Sequence, residues 1–310
     1  MRLGLLINPT AGRGGADRHV AECLRALAKY DIVQLSRPSY AEAAATARSA
    51  LTEGLDGLVV VGGDGMVHLG ANVLAGTSVP LGIVAVGSGN DVAGALGLPV
   101  HDVAGSLDVI TSALARGEYR AVDAVAVSRP GRPPHHWYVS SLCTAIEAAV
   151  AQRATTLRWP RHGGRYVRAA LREVATFRPY GLRIVADGER WQGPVTLAVV
   201  ASTAVFGGGM RIAPEARPES GTMELVIAAP LARRRLLRLL PKLYSGGHIG
   251  HPAVTVRRVH SVRIERSPGV GRPPPPALAD GELVGHLPLQ CDIHPGALRV
   301  LQAESARQHA

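Results

Sequence analysis

Leu58-Val59-Val60-Val61-Gly62-Gly63-Asp64-Gly65-Met66-Val67-His68 reads as a buried strand that breaks at a glycine pair and restarts as a helix. A short apolar run bounded by glycine is the pattern of a strand covered on both faces. Glycine at the break lets backbone N–H groups approach a ligand, and the helix start that follows favours an anion. Two further segments repeat the arrangement. Asn8-Pro9-Thr10-Ala11-Gly12 follows the strand candidate Leu3–Ile7, and Gly87-Ser88-Gly89-Asn90-Asp91 follows Leu81–Val86. Between them lie Ala16–Lys29, with Val20, Cys23, Leu24 and Leu27 at helical spacing, a strand at Ile32–Leu35, and helices at Ala41–Leu51 and Val67–Ala75. Alternating strand and helix predict a parallel sheet covered by helices, whose glycine turns gather at the carboxyl edge where ligands bind.

The pattern changes near Asp123. Ala124–Ser128, Trp137–Ser141, Leu182–Ala186, Val195–Val200, Glu224–Ala228 and Val262–Glu265 read as short strands, interrupted by helices at Tyr166–Phe177 and Leu231–Lys242. Many short strands between turn signals predict an antiparallel sandwich or barrel. Ser267–Pro276, rich in Pro and Gly, reads as an exposed loop. No internal repeat interrupts the scheme.

At 310 residues the chain suits two domains, and 46% apolar against 19% charged residues is a globular composition. With aromatics at 4%, the core has to be built from Val, Leu, Ile and Ala. The net charge of +10 rests almost wholly on Arg, since Lys occurs only at Lys29 and Lys242, and a basic surface attracts anions. Cys23, Cys143 and Cys291 form neither a disulfide framework nor a metal spacing, so a reducing cytoplasm is expected. The apolar start Met1–Ile7 runs into Asn8-Pro9 and reads as a strand rather than a signal peptide; no run is long enough to span a bilayer.

No P-loop and no Gly-x-Gly-x-x-Gly in a strand–turn–helix setting occurs, so a Rossmann dinucleotide site is unsupported. One glycine loop alone is a tight turn. Three in successive strand–helix units, two carrying Asp64 and Asp91, point to phosphates and the Mg²⁺ that accompanies them. Capping a helix is the structural alternative for each acid.

Gly62-Gly63-Asp64-Gly65 and Gly87-Ser88-Gly89-Asn90-Asp91, with Phe206–Pro214, Asp280-Gly281-Glu282 and Pro295-Gly296-Ala297-Leu298, resemble the diacylglycerol kinase catalytic family over nearly the whole chain. That family is related to the sphingosine and ceramide kinases and is similar to NAD kinases and phosphofructokinases. Arg153–Arg172 and Leu236–His248 look closest to its actinobacterial members. The resemblance implies a Rossmann-like α/β nucleotide-binding domain over 1–122, rejoined by 293–310, and a β-sandwich lipid-acceptor domain over 123–292.

It further implies that ATP is bound by Asn8, Pro9, Thr10, Ala11, Gly12, Ser36, Gly62, Gly63, Asp64, Gly65, Met66, Val67, His68, Ser88, Gly89 and Asn90. Glu282, Asp64 and Asp91 are the implied catalytic residues and ligands of the catalytic Mg²⁺, with Glu282 as general base toward a diacylglycerol hydroxyl and Asp64 as the alternative base. Met66 replaces the usual Thr. Ser220 stands where the family commonly has the Asp that helps hold a structural Mg²⁺, with Glu215, Glu219 and Glu224 nearby in sequence. Glu147 stands near a common Asp and is expected to link to the neighbourhood of Asp123.

Arg153, Arg158, Arg161, Arg165, Arg168, Arg172 and Arg178, with Trp159 and Tyr166, form one basic segment; Arg233, Arg234, Arg235, Arg238 and Lys242, interleaved with Leu, form another. Both are compatible with a solvated surface in an Arg-biased protein. A lipid acceptor favours an anionic membrane as the partner, and hence a cytoplasmic, peripherally attached protein. Nucleic acid is not expected, because no binding motif and few stacking aromatics accompany the charge. A homodimer is compatible with the sequence. Kinases for another lipid-like alcohol, NAD kinase-like enzymes and non-catalytic relatives are the competing functions.

Overall fold

The computed structural model describes residues 1–8, 16–157 and 164–302. The chain divides into two compact units: Met1–Ala124 together with the segment from Pro295, and Val125–His294.

The first unit comprises β1 (Arg2–Ile7), α1 (Ala16–Ala26), β2 (Asp31–Gln34), α2 (Tyr40–Thr52), β3 (Gly57–Gly62), α3 (Asp64–Leu74), β4 (Leu81–Ala85), α4 (Asp91–Ala95) and α5 (Val103–Arg116). Its strands run parallel in the order β2-β1-β3-β4. Every residue of β3 and β4 is buried, because helices cover both faces of a parallel sheet. On one face Leu3, Leu5, Val59, Val61 and Val84 pack against Cys23 of α1, Leu27 just beyond it, and Leu107, Ile110 and Leu114 of α5. The sequence pattern did not yield α5. Its ends are nonetheless marked, by Asp102 accepting from Gly105 N at 2.9 Å and by left-handed Gly117.

β5 (Arg120–Ser128) leads into the second unit, which continues with β6 (Pro134–Tyr138), β7 (Ser141–Ala145), α6 (Ile146–Thr156), α7 (Gly164–Ala175), β8 (Tyr180–Ala186), β9 (Glu189–Val195), β10 (Leu197–Ala201), β11 (Met223–Ala228), α8 (Arg233–Ser245), β12 (Val254–Val259), β13 (Ser261–Arg266), β14 (Ala277–Ala279), β15 (Glu282–Gly285) and β16 (Leu289–Val300). One antiparallel sheet has the order β12-β11-β10-β7-β14-β15. In the other, β13 pairs with β8 and with the first half of β16, β8 pairs with β9, and β5 pairs with β6. Val125, Leu182, Ile184, Val262 and Leu289 share one core with Leu142, Val199, Leu225 and Val226, so the two layers form a sandwich.

The single strand expected at Trp137–Ser141 is two strands, β6 and β7, separated at Val139 and Ser140. The second half of β16 closes the first unit. Val300 pairs with Leu81, Leu301 N donates to Leu81 O at 2.8 Å, and Gly76 N donates to Ala297 O at 2.8 Å.

Candidate active site

Because β3 and β4 are adjacent and in register at Gly62↔Ala85, the loops that leave them meet. A Cβ on Gly87 would stand 2.3 Å from Gly63 Cα and 2.8 Å from Gly63 N, closer than any side chain tolerates. The two loops therefore touch backbone to backbone. Asn90 braces the second loop: its Oδ1 accepts from Gly87 N at 2.9 Å and its Nδ2 donates to Gly87 O at 2.8 Å. It does so from a left-handed backbone (φ 60°), which asparagine tolerates.

Asp64 opens α3, and its Oδ1 accepts from Val92 N at 3.1 Å, tying the first loop to α4. Its other oxygen faces Gly89. A Cβ on Gly89 would meet Asp64 Oδ2 at 2.7 Å and Asp91 Oδ2 at 4.0 Å, so both carboxylates converge on that glycine. Ser88 and Gly89 are exposed while Val67 and His68 are buried in α3. The Asn72 amide donates to His68 O at 2.9 Å and lies 3.1 Å from His68 Nε2. The Met66 side chain packs beside Gly62. Ser36 has a local duty, its Oγ accepting from Ile7 N at 2.8 Å; Asn8 N donates to Val61 O at 3.0 Å. Pro9, Thr10, Ala11 and Gly12 lie outside the described residues.

In the second unit Glu282 is the first residue of β15, half-buried and paired with Ala279. Asp280 and Gly281, both with positive φ (49° and 87°), form the two-residue turn before it. Sequence reasoning quoted Asp280 but assigned it no role. Its Oδ2 accepts from Val139 N at 3.0 Å, and its Oδ1 from Ser140 N at 2.8 Å and Ser141 N at 3.1 Å. The carboxylate thus fills the gap between β6 and β7 and fastens the turn that carries Glu282. The only local signal was Asp-Gly between two short strands.

Glu147 makes no hydrogen bond to Asp123. The Asp123 carboxylate accepts from Gly296 N at 2.9 Å, whereas both Glu147 oxygens are buried with no hydrogen-bond partner. Burial pushes the Glu147 carboxyl well above its usual range.

Asp64 and Asp91 fit a Mg²⁺ bound with a nucleotide, since that ion characteristically takes one or two carboxylates and completes its shell with phosphate oxygens and water. Among the described residues no group of three or more His, Cys, Asp or Glu side chains is placed to hold a metal by itself. The Ser220 turn does not fit a structural Mg²⁺. The Ser220 hydroxyl is bonded to Arg217 O at 2.9 Å and lies 3.0 Å from Thr222 Oγ1. Glu215 lies 4.0 Å from Arg258, and Glu224 is buried on β11 in register with Arg258 of β12, its carboxyl pushed up by burial and then by Glu215.

The diacylglycerol kinase catalytic domain matches residues 2–127, and the YegS C-terminal NAD kinase β-sandwich-like domain matches residues 140–302. The diacylglycerol kinase of Mycobacterium tuberculosis (strain ATCC 25618 / H37Rv) is 32% identical over 300 residues, covering 96% of this chain and 94% of that protein. The diacylglycerol kinase of Bacillus subtilis (strain 168) is 25% identical over 295 residues, covering 93% and 91%. A solved diacylglycerol kinase structure from Bacillus anthracis str. Sterne has a TM-score of 0.70 at 18% identity, covering 98% of each chain, and so shares the fold. Two domain matches in the expected order, with a mycobacterial relative across almost the full length, place this chain in the diacylglycerol kinase family of lipid kinases.

Proposed function

We propose that this chain transfers the γ-phosphoryl group of ATP to the hydroxyl of diacylglycerol, giving phosphatidic acid and ADP. The observation that carries the reading is the backbone contact of the Gly62–Gly65 and Gly87–Asp91 loops, with the Asp64 and Asp91 carboxylates converging on Gly89. Backbone N–H groups without intervening side chains suit the phosphates, and the start of α3 adds favourable dipole. Mg²⁺, when bound, neutralises the triphosphate charge. Asp64, held by Val92 N, and Asp91 would orient it.

Glu282 is the proposed general base. The lipid hydroxyl oxygen forms the new bond to γ-phosphorus, the bond to the β–γ bridging oxygen breaks, and the hydroxyl proton passes to the Glu282 carboxylate. Asp280 keeps Glu282 on a fixed turn. Asp64 is less suited to that proton, since one of its oxygens already accepts from the backbone. The acceptor is expected at an anionic membrane surface, which the exposed arginines of α8 favour.

The test is transfer from γ-labelled ATP in mixed micelles of diacylglycerol, ceramide and sphingosine. Label is expected in phosphatidic acid, and Glu282→Gln should lower kcat by about 10²–10⁴ while ATP still binds. Label in ceramide or sphingosine alone would replace the acceptor assignment; an undiminished Glu282→Gln would remove the base assignment.

A further inference from the structure

We infer that the Ser220 hydroxyl closes the 217–222 turn in place of a structural cation, so that the second unit holds its fold without a divalent metal. Ser220 Oγ lies 2.9 Å from Arg217 O, 3.1 Å from Thr222 O, 3.0 Å from Thr222 Oγ1 and 3.3 Å from Thr222 N. A hydroxyl has one proton to give and two lone pairs to fill. The proton goes to the nearer carbonyl, Arg217 O. The lone pairs receive the Thr222 N–H and the Thr222 hydroxyl proton. The capacity of the atom is used in full, and Ser220 N adds a further bond to Arg217 O at 3.2 Å.

Three oxygens thus surround one point, as ligands surround an ion, but the point is occupied by a neutral side-chain atom. A divalent cation there would have to displace the hydroxyl and find carboxylate charge to offset its lost hydration. Among the described residues the nearby acids form no group of three that could hold it. Glu215 lies beside Arg258, and Glu224 sits in the strand behind, 5% exposed and without a hydrogen bond to the turn. Gly221 takes the left-handed conformation (φ 66°) that lets the chain fold back onto the hydroxyl. The demand for Mg²⁺ is then confined to the nucleotide site, and withdrawing the free ion stops turnover without loosening this turn.

Hydrogen exchange of the peptide covering 217–224, read by mass spectrometry on the full chain without nucleotide, tests this in EDTA and in excess Mg²⁺. The local readout separates the turn from any ion at Asp64 and Asp91. The native chain should show equal protection in both conditions. Ser220→Ala should exchange about fivefold faster in both, the loss of roughly one hydrogen bond. Ser220→Asp should exchange faster in EDTA and regain protection in Mg²⁺. Mg²⁺-dependent protection of this peptide in the native chain would overturn the inference, and so would a Ser220→Ala chain with native protection.

Discussion

At Gly87 a single methyl group decides whether two loops can touch. Alanine there would press into Gly63 Cα at 2.3 Å, and because the obstruction is backbone the loops must separate. Gly87→Ala should leave the fold in place and weaken ATP binding by at least tenfold in calorimetry; unchanged affinity would move the nucleotide elsewhere. Glu147 poses the opposite problem, a carboxyl buried with nothing to bond. Its folded pKa is raised above the ordinary 4.5, so the native state binds the proton more tightly than the unfolded chain. The linked stability is fully present below about pH 4.5 and is lost as pH rises toward the folded value. Glu147→Gln imitates the protonated form, and its melting midpoint should exceed the native one at pH 7 and converge with it below pH 4.5. A gap independent of pH would refute the charge account. The loop glycines and Asn90 were legible because each stands beside its own strand. Asp280 was not, since its three donors lie 139 to 141 residues away.

Among the elements, α8 carries its chemistry openly. Leu236 and Leu239 are buried, while Arg233, Arg234, Arg235 and Arg238 surround an exposed Leu237. Helix α7 packs on α8 and exposes Tyr166, Val167 and Leu171, each more than half accessible. Arg158, Trp159 and Arg161 of the same basic stretch lie outside the described residues. No described helix is long and apolar enough to cross a membrane. Reversing Arg234 and Arg238 to Glu should lower partition onto phosphatidylglycerol vesicles by roughly ten- to a hundredfold, at about 1 kcal/mol for each basic residue lost, and leave neutral vesicles unaffected. Equal partition of both proteins would sink the membrane reading. Local periodicity made this helix readable. Strand β9 escaped because it is largely exposed and alternates no apolar face, and β14 and β15 because three- and four-residue strands carry too short a pattern.

Over the whole molecule, the first unit is not contiguous in sequence. Its sheet begins at Arg2 and is completed by Val300, after the entire sandwich has intervened. Gln302, 1% exposed, accepts from Arg120 at 3.2 Å and donates to Leu96 O at 3.2 Å, so the last described residue is built into the core. Closing so long a loop is slow, and the first unit is expected to finish folding after the second has formed. By itself the sequence determined the alternation of buried strands and helices, the change to short strands near Asp123, the glycine loops with their acids, and the family. These follow from neighbours along the chain, whose spacing alone sets which face is buried and where the backbone must bend. Only the tertiary structure decided that the β3 and β4 loops meet at Gly63 and Gly87, that Asp280 fills the gap between β6 and β7, that Glu147 has no partner, and that the Ser220 hydroxyl occupies the centre of its turn. Most of these depend on strand order and long-range register, which no local pattern encodes; the Ser220 turn depends on the rotamer that settles where its hydroxyl points.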